Sequence, residues 1–254
     1  MYRVLNNELL TLVTRKTYKT RGIVLRHTPI GEADRVLTLL TSDLGKVRAV
    51  ARGVRRVKSK LAGHVEPFTY VSVSIAYGRT LDVISEAQTI RSFGRLRENL
   101  SLISEAVYLS ELADAFSNEQ EPTPEIFRLL IECLDALEST EDTTRLIRWF
   151  EIQLLGATGF RPELYECVEC RLVLEPGDYV YDCARGGLLC NGCKVGSVEV
   201  VLPLSINANK TLRYYQKNPL PDVLKVPIPK LVSDEMGRVL RAYSRYVLER
   251  ELKS

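Results

Sequence analysis

The sequence lacks a hydrophobic stretch long enough to cross a membrane. Apolar residues make up 45% of its 254 residues, yet no apolar run approaches the roughly 20 residues that a transmembrane helix needs. Residues 1–19 contain neither an apolar core nor a small-residue cleavage site, so they match a signal peptide poorly. We therefore expect a cytoplasmic protein, with residues 1–17 as a disordered leader.

The sequence also has few of the residues on which common enzymes depend. It contains two histidines, His27 and His64, and no HExxH motif. The segment 53–59 fails as a phosphate loop because Lys58 stands where the second glycine is required. The carboxylates are scattered, and no cluster would hold the paired metal ions of a nuclease. We expect no enzymatic activity and no dependence on ATP.

The positive charge is concentrated in one segment. The formal net charge is only +3, but no carboxylate occurs between Asp43 and Glu66. A dense local run of cations indicates nucleic-acid binding better than the net charge does. The seven cations in this interval are Lys46, Arg48, Arg52, Arg55, Arg56, Lys58 and Lys60.

Residues 18–92 have the pattern of a small β-barrel. Five short runs rich in β-branched residues are separated by turn signals. Five strands in so short a span fit an OB-fold or an SH3-like barrel, and the pattern alone does not separate the two. The predicted strands are 22–25, 35–40, 46–50, 70–75 and 81–84.

From residue 93 onward, apolar residues recur at helical spacing, so residues 93–254 predict a helical domain. The fourth helix is expected to begin near Ser233, with Asp234 and Glu235 in its first turn. The predicted apolar stripes are Leu96, Leu100, Ile103 and Val107; Ile126, Leu129, Leu130, Cys133 and Leu137; Ile147, Phe150 and Leu154; and Met236, Leu240, Tyr243 and Val247.

Five of the six cysteines lie between residues 167 and 193. Cys167 and Cys170 form one CxxC knuckle, and Cys190 and Cys193 form another. Two knuckles at this spacing predict a tetrahedral zinc site within an insertion at about 163–198. With four thiolate ligands such a site is closed to substrate, so a structural role is expected rather than a catalytic or redox one.

The other two cysteines have different predicted roles. Cys183 lies between the knuckles and is the alternative ligand to one of the four. Cys133 falls on the apolar face of a predicted helix, so it is expected to lie in the core.

The cationic segment predicts the surface that binds DNA. On a strand, Lys46, Arg48 and Arg52 would alternate with apolar residues and line one face. Phosphates bind such a row without regard to sequence, and binding should weaken with salt. Arg35 and Arg79 complete the predicted set of cations. Three aromatic residues are candidates for base stacking, although core packing is the alternative for them: Phe68, Tyr70 and Tyr77.

Two further polar features are explained most simply as ordinary solvent-exposed surface. His64 lies beside the cationic segment and is expected to be plain surface rather than a phosphate contact. Arg238, Arg241 and Arg245 form a row opposite the apolar stripe of the last helix. Helices usually carry charge on their solvent-facing side, so this row is read as surface, with a secondary DNA or partner contact as the alternative.

Several of these segments together resemble the bacterial RecO family, in chain order from about Tyr18 to the C-terminus. The resemblance implies an N-terminal OB-fold and a helical C-terminal domain that contains a zinc site. The matching segments are Gly31-Glu-Ala-Asp-Arg-Val-Leu-Thr-Leu-Leu-Thr, Gly45-Lys, Ala51-Arg-Gly-Val-Arg-Arg, Glu66-Pro-Phe, Leu155-Gly-Ala-Thr-Gly-Phe-Arg-Pro-Glu-Leu, the two knuckles and Gly186-Gly-Leu-Leu-Cys190.

The resemblance also implies a function in DNA repair and homologous recombination. It implies binding of single- and double-stranded DNA, annealing of complementary strands, and loading of RecA, with RecR, onto strands coated by the single-strand binding protein SSB. Two alternatives remain open from the residues themselves. A zinc-dependent nucleic-acid enzyme would need an open metal position, and an RNA-binding factor would share the same barrel and charge pattern.

Overall fold

The computed structural model describes residues 17–140, 142–175, 177–194 and 201–251. The predicted leader therefore lies outside the described residues except for Thr17, which begins the first strand. The chain forms two compact units. The first contains residues 17–98 and 117–128, and the second contains 99–116 and the described residues from 129 onward. None of the described helices is both long and apolar enough to span a membrane.

The first unit contains a closed barrel of five strands. The order around the barrel is β1-β2-β3-β5-β4, and β3 and β5 pair in parallel. This is the order of an OB-fold and not of an SH3-like barrel, so the fold implied by the family resemblance is confirmed. The strands are β1 (Thr17–Ile30), β2 (Asp34–Thr41), β3 (Lys46–Ala51), β4 (Tyr70–Ala76) and β5 (Asp82–Arg91).

Alternation along the strands fills the barrel. On β3, Val47, Ala49 and Ala51 are buried, whereas Arg48 points to solvent, as the sequence predicts. The interior is built from aliphatic side chains of all five strands, which include Val24, Leu37, Leu39, Val71, Val73, Ile75 and Ile84.

A later part of the chain returns to the barrel. The backbone NH of Lys46 donates to the carbonyl of Asn118 at 3.2 Å, and the NH of Gln120 donates to the carbonyl of Lys46 at the same distance. Gly45 has a φ of 69°, and a Cβ there would overlap the carbonyl oxygen of Glu121. The start of β3 is therefore covered by residues 118–121, which the sequence pattern did not reveal.

In the part of the chain that the structure describes, the helices are α1 (Leu100–Ala115), α2 (Pro124–Leu137), α3 (Thr143–Ala157), α4 (Ile206–Lys217), α5 (Leu220–Val223) and α6 (Lys230–Glu251). Side chains at the helix N-termini accept hydrogen bonds from the first turn. Asn99 caps α1, Asp142 caps α3 and Ser205 caps α4.

Three of the four predicted apolar stripes lie in the core. The stripes of α3 and α6 are buried throughout, and so is that of α2 except for Leu129, which is half-buried. Cys133 is fully buried on α2, which confirms its core role. The exposed positions of Arg238 and Arg245 on α6 agree with a solvent-facing row.

The stripe predicted for the first helix is wrong. Leu96 is buried, but it lies in a 3-10 turn that precedes α1. Leu100 is 80% exposed, and Val107 is also exposed. The buried side of α1 is instead formed by Ala106, Leu109, Ser110 and Ala113. Since apolar residues occur on both sides of this helix, spacing could not identify the buried side.

The last helix begins earlier than predicted, at Lys230. Asp234 and Glu235 therefore lie beyond its first turn, and Glu235 is buried. Its carboxylate accepts hydrogen bonds from the backbone NH of Ser205 at 2.6 Å and from the Ser205 hydroxyl at 2.7 Å. Glu235 thus ties α6 to the start of α4.

A small three-stranded sheet completes the second unit. Its strands are β6 (Tyr179–Asp182), β7 (Gly187–Leu189) and β8 (Val201–Leu204), and β6 lies in the centre, antiparallel to both neighbours. The second cysteine knuckle directly follows β7.

Candidate metal centre and nucleic-acid interface

Backbone pairing brings the two cysteine knuckles together. The NH of Glu163 donates to the carbonyl of Gly186, and the NH of Leu188 donates to the carbonyl of Glu163, both at 3.0 Å. The NH of Val168 donates to the carbonyl of Leu188 at 2.9 Å. Gly187 allows this close approach, because a Cβ there would collide with Glu163 and Val168. Gly187 therefore serves the packing of the two knuckles, and Gly186, with a φ of 71°, serves the turn before the second one.

The four cysteines of the two knuckles converge on one point. Their sulfur atoms all lie within 4.8 Å of one another, and the sulfurs of Cys170 and Cys190 are 3.8 Å apart. Each knuckle closes through its own backbone. The NH of Arg171 donates to the carbonyl of Cys167 at 2.9 Å, and the NH of Cys193 donates to that of Cys190 at 3.1 Å. The predicted quartet is thus assembled as a possible metal-binding site.

Backbone donors favour the thiolate form of Cys167. Burial opposes its ionisation, but NH groups of Cys170, Cys190 and Glu169 outweigh that effect and lower its pKa to about 6. The NH of Cys190 lies 3.4 Å from the Cys167 sulfur. Hydrogen bonds with the neighbouring sulfurs of Cys190 and Cys170 raise the pKa of Cys193 to about 12. A bound cation would supply the positive charge that four adjacent thiolates require.

Cys183 does not belong to the quartet. It follows β6, is buried, and has a pKa raised to about 11 by burial and by the adjacent Asp182. The other four sulfurs already supply the number of ligands that a tetrahedral metal site takes, so the alternative ligand is not needed.

Two arginines that no sequence motif indicates hold the first knuckle in place. Arg185 bridges the buried carboxylate of Asp182 at 2.6 Å and the carboxylate of Glu169 at 2.9 Å. Arg213 on α4 donates to the carbonyl of Leu164 at 2.8 Å through Nε. Neither contact produces a local sequence signal. Arg213 contacts a residue that is distant in sequence, and the contacts of Arg185 depend on the turn after β6.

The second candidate site is the loop 52–60, here called the basic loop. It follows β3 and packs against the β1–β2 turn. The NH of Gly53 donates to the Asp34 carboxylate at 2.7 Å, and the NH of Arg55 donates to the carbonyl of Ala33 at 2.9 Å. Val54 is buried beneath the loop. The basic loop therefore has a defined position at one end of the barrel.

The cations of the basic loop all face solvent. In the described part of the chain, none of them forms an ion pair with a carboxylate. Their charges are thus available to an external anion. The five are Arg52, Arg55, Arg56, Lys58 and Lys60.

The predicted cations on the strands are already engaged. Arg35 on β2 pairs with Glu66 at 2.9 Å and is largely covered. Arg48 lies 3.8 Å from Glu119, and Lys46 is half-buried beside residues 118–120. Burial and the charge of Arg35 outweigh the opposing effect of Glu66 and lower the pKa of the neighbouring His27. The unpaired charge of the predicted surface is therefore concentrated in the basic loop.

Arg79 lies apart from the basic loop. It is exposed in the turn between β4 and β5. Because β5 runs parallel to β3 with Asp82 opposite Ala49, this turn lies at the end of the barrel where β3 begins. The basic loop follows the other end of β3. The structure therefore does not bring Arg79 together with the basic loop.

The aromatic candidates differ in their exposure. Phe68 is buried, with a φ of 64°, and offers no ring face to a base. Tyr70 is half-buried against the ring of Phe127, with the centroids 5.8 Å apart. Tyr77 is 59% exposed and packs against Tyr18 on one side. Of the three, Tyr77 alone presents a largely open ring.

His64 is held by the barrel. Its Nδ1 lies 2.9 Å from the hydroxyl of Thr89, so the side chain is part of the surface of the first unit. This contact agrees with the expectation that His64 is an ordinary surface residue.

Comparison with known proteins identifies the family. Residues 15–93 match the family model described as Recombination protein O N terminal, and residues 97–254 match Recombination protein O C terminal. A protein of Dehalococcoides mccartyi named DNA repair protein RecO is 41% identical over 93% of both chains. Proteins of the same name from Roseiflexus and Desulforamulus reducens are 38% and 30% identical, each over 94% of this chain and over 84% and 93% of their own length. With both models matched and relatives at this identity along nearly the whole chain, the protein belongs to the RecO family.

Proposed function

We propose that this protein is a DNA-binding recombination mediator that acts in DNA repair and homologous recombination in the bacterial cytoplasm. The observation that carries the proposal is the basic loop, with five exposed and unpaired cations on an OB-fold barrel. Its relatives are named DNA repair proteins, and an OB-fold is a common platform for single strands.

The proposed mechanism is electrostatic. Exposed arginine and lysine side chains replace the counterions of the DNA backbone, so they bind single and double strands without regard to sequence. Neutralising the phosphates of one strand lowers the repulsion that a complementary strand meets. The protein would therefore promote annealing without ATP. The exposed ring of Tyr77 is a candidate for stacking on a base, whereas Phe68 is buried and is not proposed to stack.

We propose that the metal is Zn²⁺ and that its role is structural. Four cysteine sulfurs that converge on one point match the preference of zinc for four thiolate ligands. They also fill its coordination sphere, so no position is left for a water or substrate to be activated. This arrangement supports a binding protein rather than a zinc-dependent enzyme.

The family resemblance suggests the partners. We propose that the protein works with RecR to load RecA onto single strands coated with SSB, and that surfaces of the helical unit contact RecR and the C-terminal tail of SSB. The row that includes Arg238 and Arg245 is exposed on that unit and is a candidate surface for an acidic partner.

The proposal is tested with a fluorescent single-stranded oligonucleotide. Binding is followed by anisotropy across a salt titration, and a labelled complement then reports annealing in the absence of ATP. Salt-sensitive binding together with annealing supports the proposal. No binding at low salt would discard it, and stronger competition by RNA than by DNA of the same sequence would favour an RNA-binding factor instead.

A further inference from the structure

Val57 lies within the basic loop, between cations. Its side chain is 105% exposed, which is more than that of any other large apolar residue in the described part of the chain. Arg56 and Lys58 flank it, and both are exposed. An aliphatic side chain thus projects fully into solvent from the centre of the surface proposed to bind DNA.

The loop that carries Val57 is anchored on both sides. The NH of Arg56 donates to the carbonyl of Gly53 at 3.1 Å, and the NH of Ser59 donates to the carbonyl of Arg56 at 2.9 Å. Gly53 has a φ of 63°, which forms the tight turn. Together with buried Val54 and the contacts to the β1–β2 turn, these bonds hold the backbone on either side of Val57.

The residue type is unusual for this position. Turns are dominated by glycine, proline, asparagine, aspartate and serine, whereas a β-branched residue prefers extended backbone. Isolated apolar side chains are common on surfaces and by themselves indicate nothing. Val57 differs because it is fully exposed, lies on an anchored loop and stands among five cations.

We propose that Val57 inserts between neighbouring bases of a bound single strand while the flanking cations hold the phosphates on either side. The inference rests on the proposed function and adds that the loop contacts bases as well as backbone. Proteins that bend or unstack nucleic acids use apolar side chains in this way, beside cationic ones. Contact through a base face does not depend on sequence, which suits a protein that must accept any strand.

A lipid surface is the other partner that combines negative charge with an apolar interior. Binding to membranes scales with the apolar area that is buried, and helices that lie in the interface carry a whole apolar face. The basic loop offers one valine. The observations therefore favour a nucleobase, for which a single aliphatic group is large enough to separate two stacked rings.

The direct test introduces a fluorescent side chain at the loop. The protein has one tryptophan, Trp149, which is 4% exposed in the second unit and bonded to the carbonyl of Asn218 at 2.9 Å. In the Val57→Trp variant the added indole is exposed, so its emission reports contact with a base. Quenching by an unlabelled single-stranded oligonucleotide, beyond that seen with wild-type protein, is the expected result.

A second measurement follows the effect of the natural Val57 side chain on the bases of the bound strand. Wild-type protein should raise the fluorescence of an oligonucleotide that contains 2-aminopurine, because unstacking relieves its quenching. In Val57→Ser this rise should be lost, while affinity falls only roughly fivefold through the smaller apolar contact. Ile90→Ser is the matched control, since Ile90 is also an exposed aliphatic residue of the first unit but lies on β5.

The outcomes separate the inference from the proposed function. If anisotropy shows no binding by wild-type protein, both fail. If the strand binds but the introduced indole is not quenched and Val57→Ser keeps the 2-aminopurine signal, DNA binding stands and the insertion of Val57 is refuted. Binding to anionic phospholipid vesicles that is lost in Val57→Ser, with the DNA signals unchanged, would overturn the inference in favour of a membrane contact.

Discussion

Removing three cations from the basic loop should weaken the salt dependence of DNA binding by a predictable amount. If all five exposed cations contact phosphates, the loop contributes a slope of about 3.5 to the plot of log affinity against log salt, at about 0.7 for each contact with a single strand. The variant Arg52→Ala/Arg55→Ala/Arg56→Ala keeps two cations and a slope of about 1.4. Between about 50 and 200 mM salt, the wild type should thus lose about 20-fold more affinity than the variant.

Anisotropy with a short labelled single strand measures both slopes. A matched control removes three exposed cations elsewhere, Arg161, Lys210 and Lys230, and so changes the net charge equally. Circular dichroism spectra of both variants should overlay that of the wild type, because none of these side chains is buried. An unchanged slope in the basic-loop variant, or an equal decrease in the control, would refute the placement of the site.

Three further predictions concern the metal centre, the barrel and the buried charge on α3. Cys170→Ser should reduce bound zinc from about one ion per chain to almost none, whereas Cys183→Ser should retain it, as measured by elemental analysis after gel filtration. Gly45→Ala should lower the free energy of unfolding by about 2 kcal/mol or more, and Gly31→Ala, where φ is also positive but the space is open, by about 1 kcal/mol. Glu151 is buried on α3 beside Arg148 and Tyr108. Burial raises its pKa despite these neighbours, so Glu151→Gln should gain stability relative to wild type as the pH rises above 4.5.

Each of these predictions can fail clearly. Full zinc content in Cys170→Ser would remove that residue from the ligand set, and loss of zinc in Cys183→Ser would restore the alternative ligand. Equal destabilisation by the two alanine variants would mean that only the positive φ matters and that the close backbone of Glu121 does not. The direction of the pH effect at Glu151 follows from linkage. Because the pKa of Glu151 is raised in the folded state, its protonation stabilises the folded protein below pH 4.5, and this contribution to stability is lost at higher pH. A pH-independent difference would contradict it.

Local patterns predicted the parts of the structure that depend on local spacing. The two CxxC pairs define the metal site because each knuckle is a short turn, and alternating residues on β3 define the inside of the barrel. The strands themselves are longer than predicted. β1 runs from Thr17 to Ile30 because it pairs with both β2 and β4, which continue its hydrogen bonds beyond the apolar run at 22–25.

Contacts between distant residues could not be read from the sequence. The pairing of Arg35 with Glu66 spans 31 residues, and it engages a cation that the sequence predicts to contact DNA. The neighbour of Arg48, Glu119, is still farther along the chain. Charge density along the sequence therefore located the cationic region correctly but could not show which charges the fold had already neutralised.

The return of residues 117–128 to the first unit has a consequence for biosynthesis. A ribosome that has released the end of β5 at Arg91 has not yet made the residues that cover the start of β3. The barrel can reach its final packing only after α1 has also been synthesised. A chain truncated at residue 92 would therefore leave the backbone groups of Lys46 without their partners at 118 and 120. Such a fragment is expected to fold less stably than the barrel in the intact chain, so studies of DNA binding by the barrel alone should extend it to residue 128.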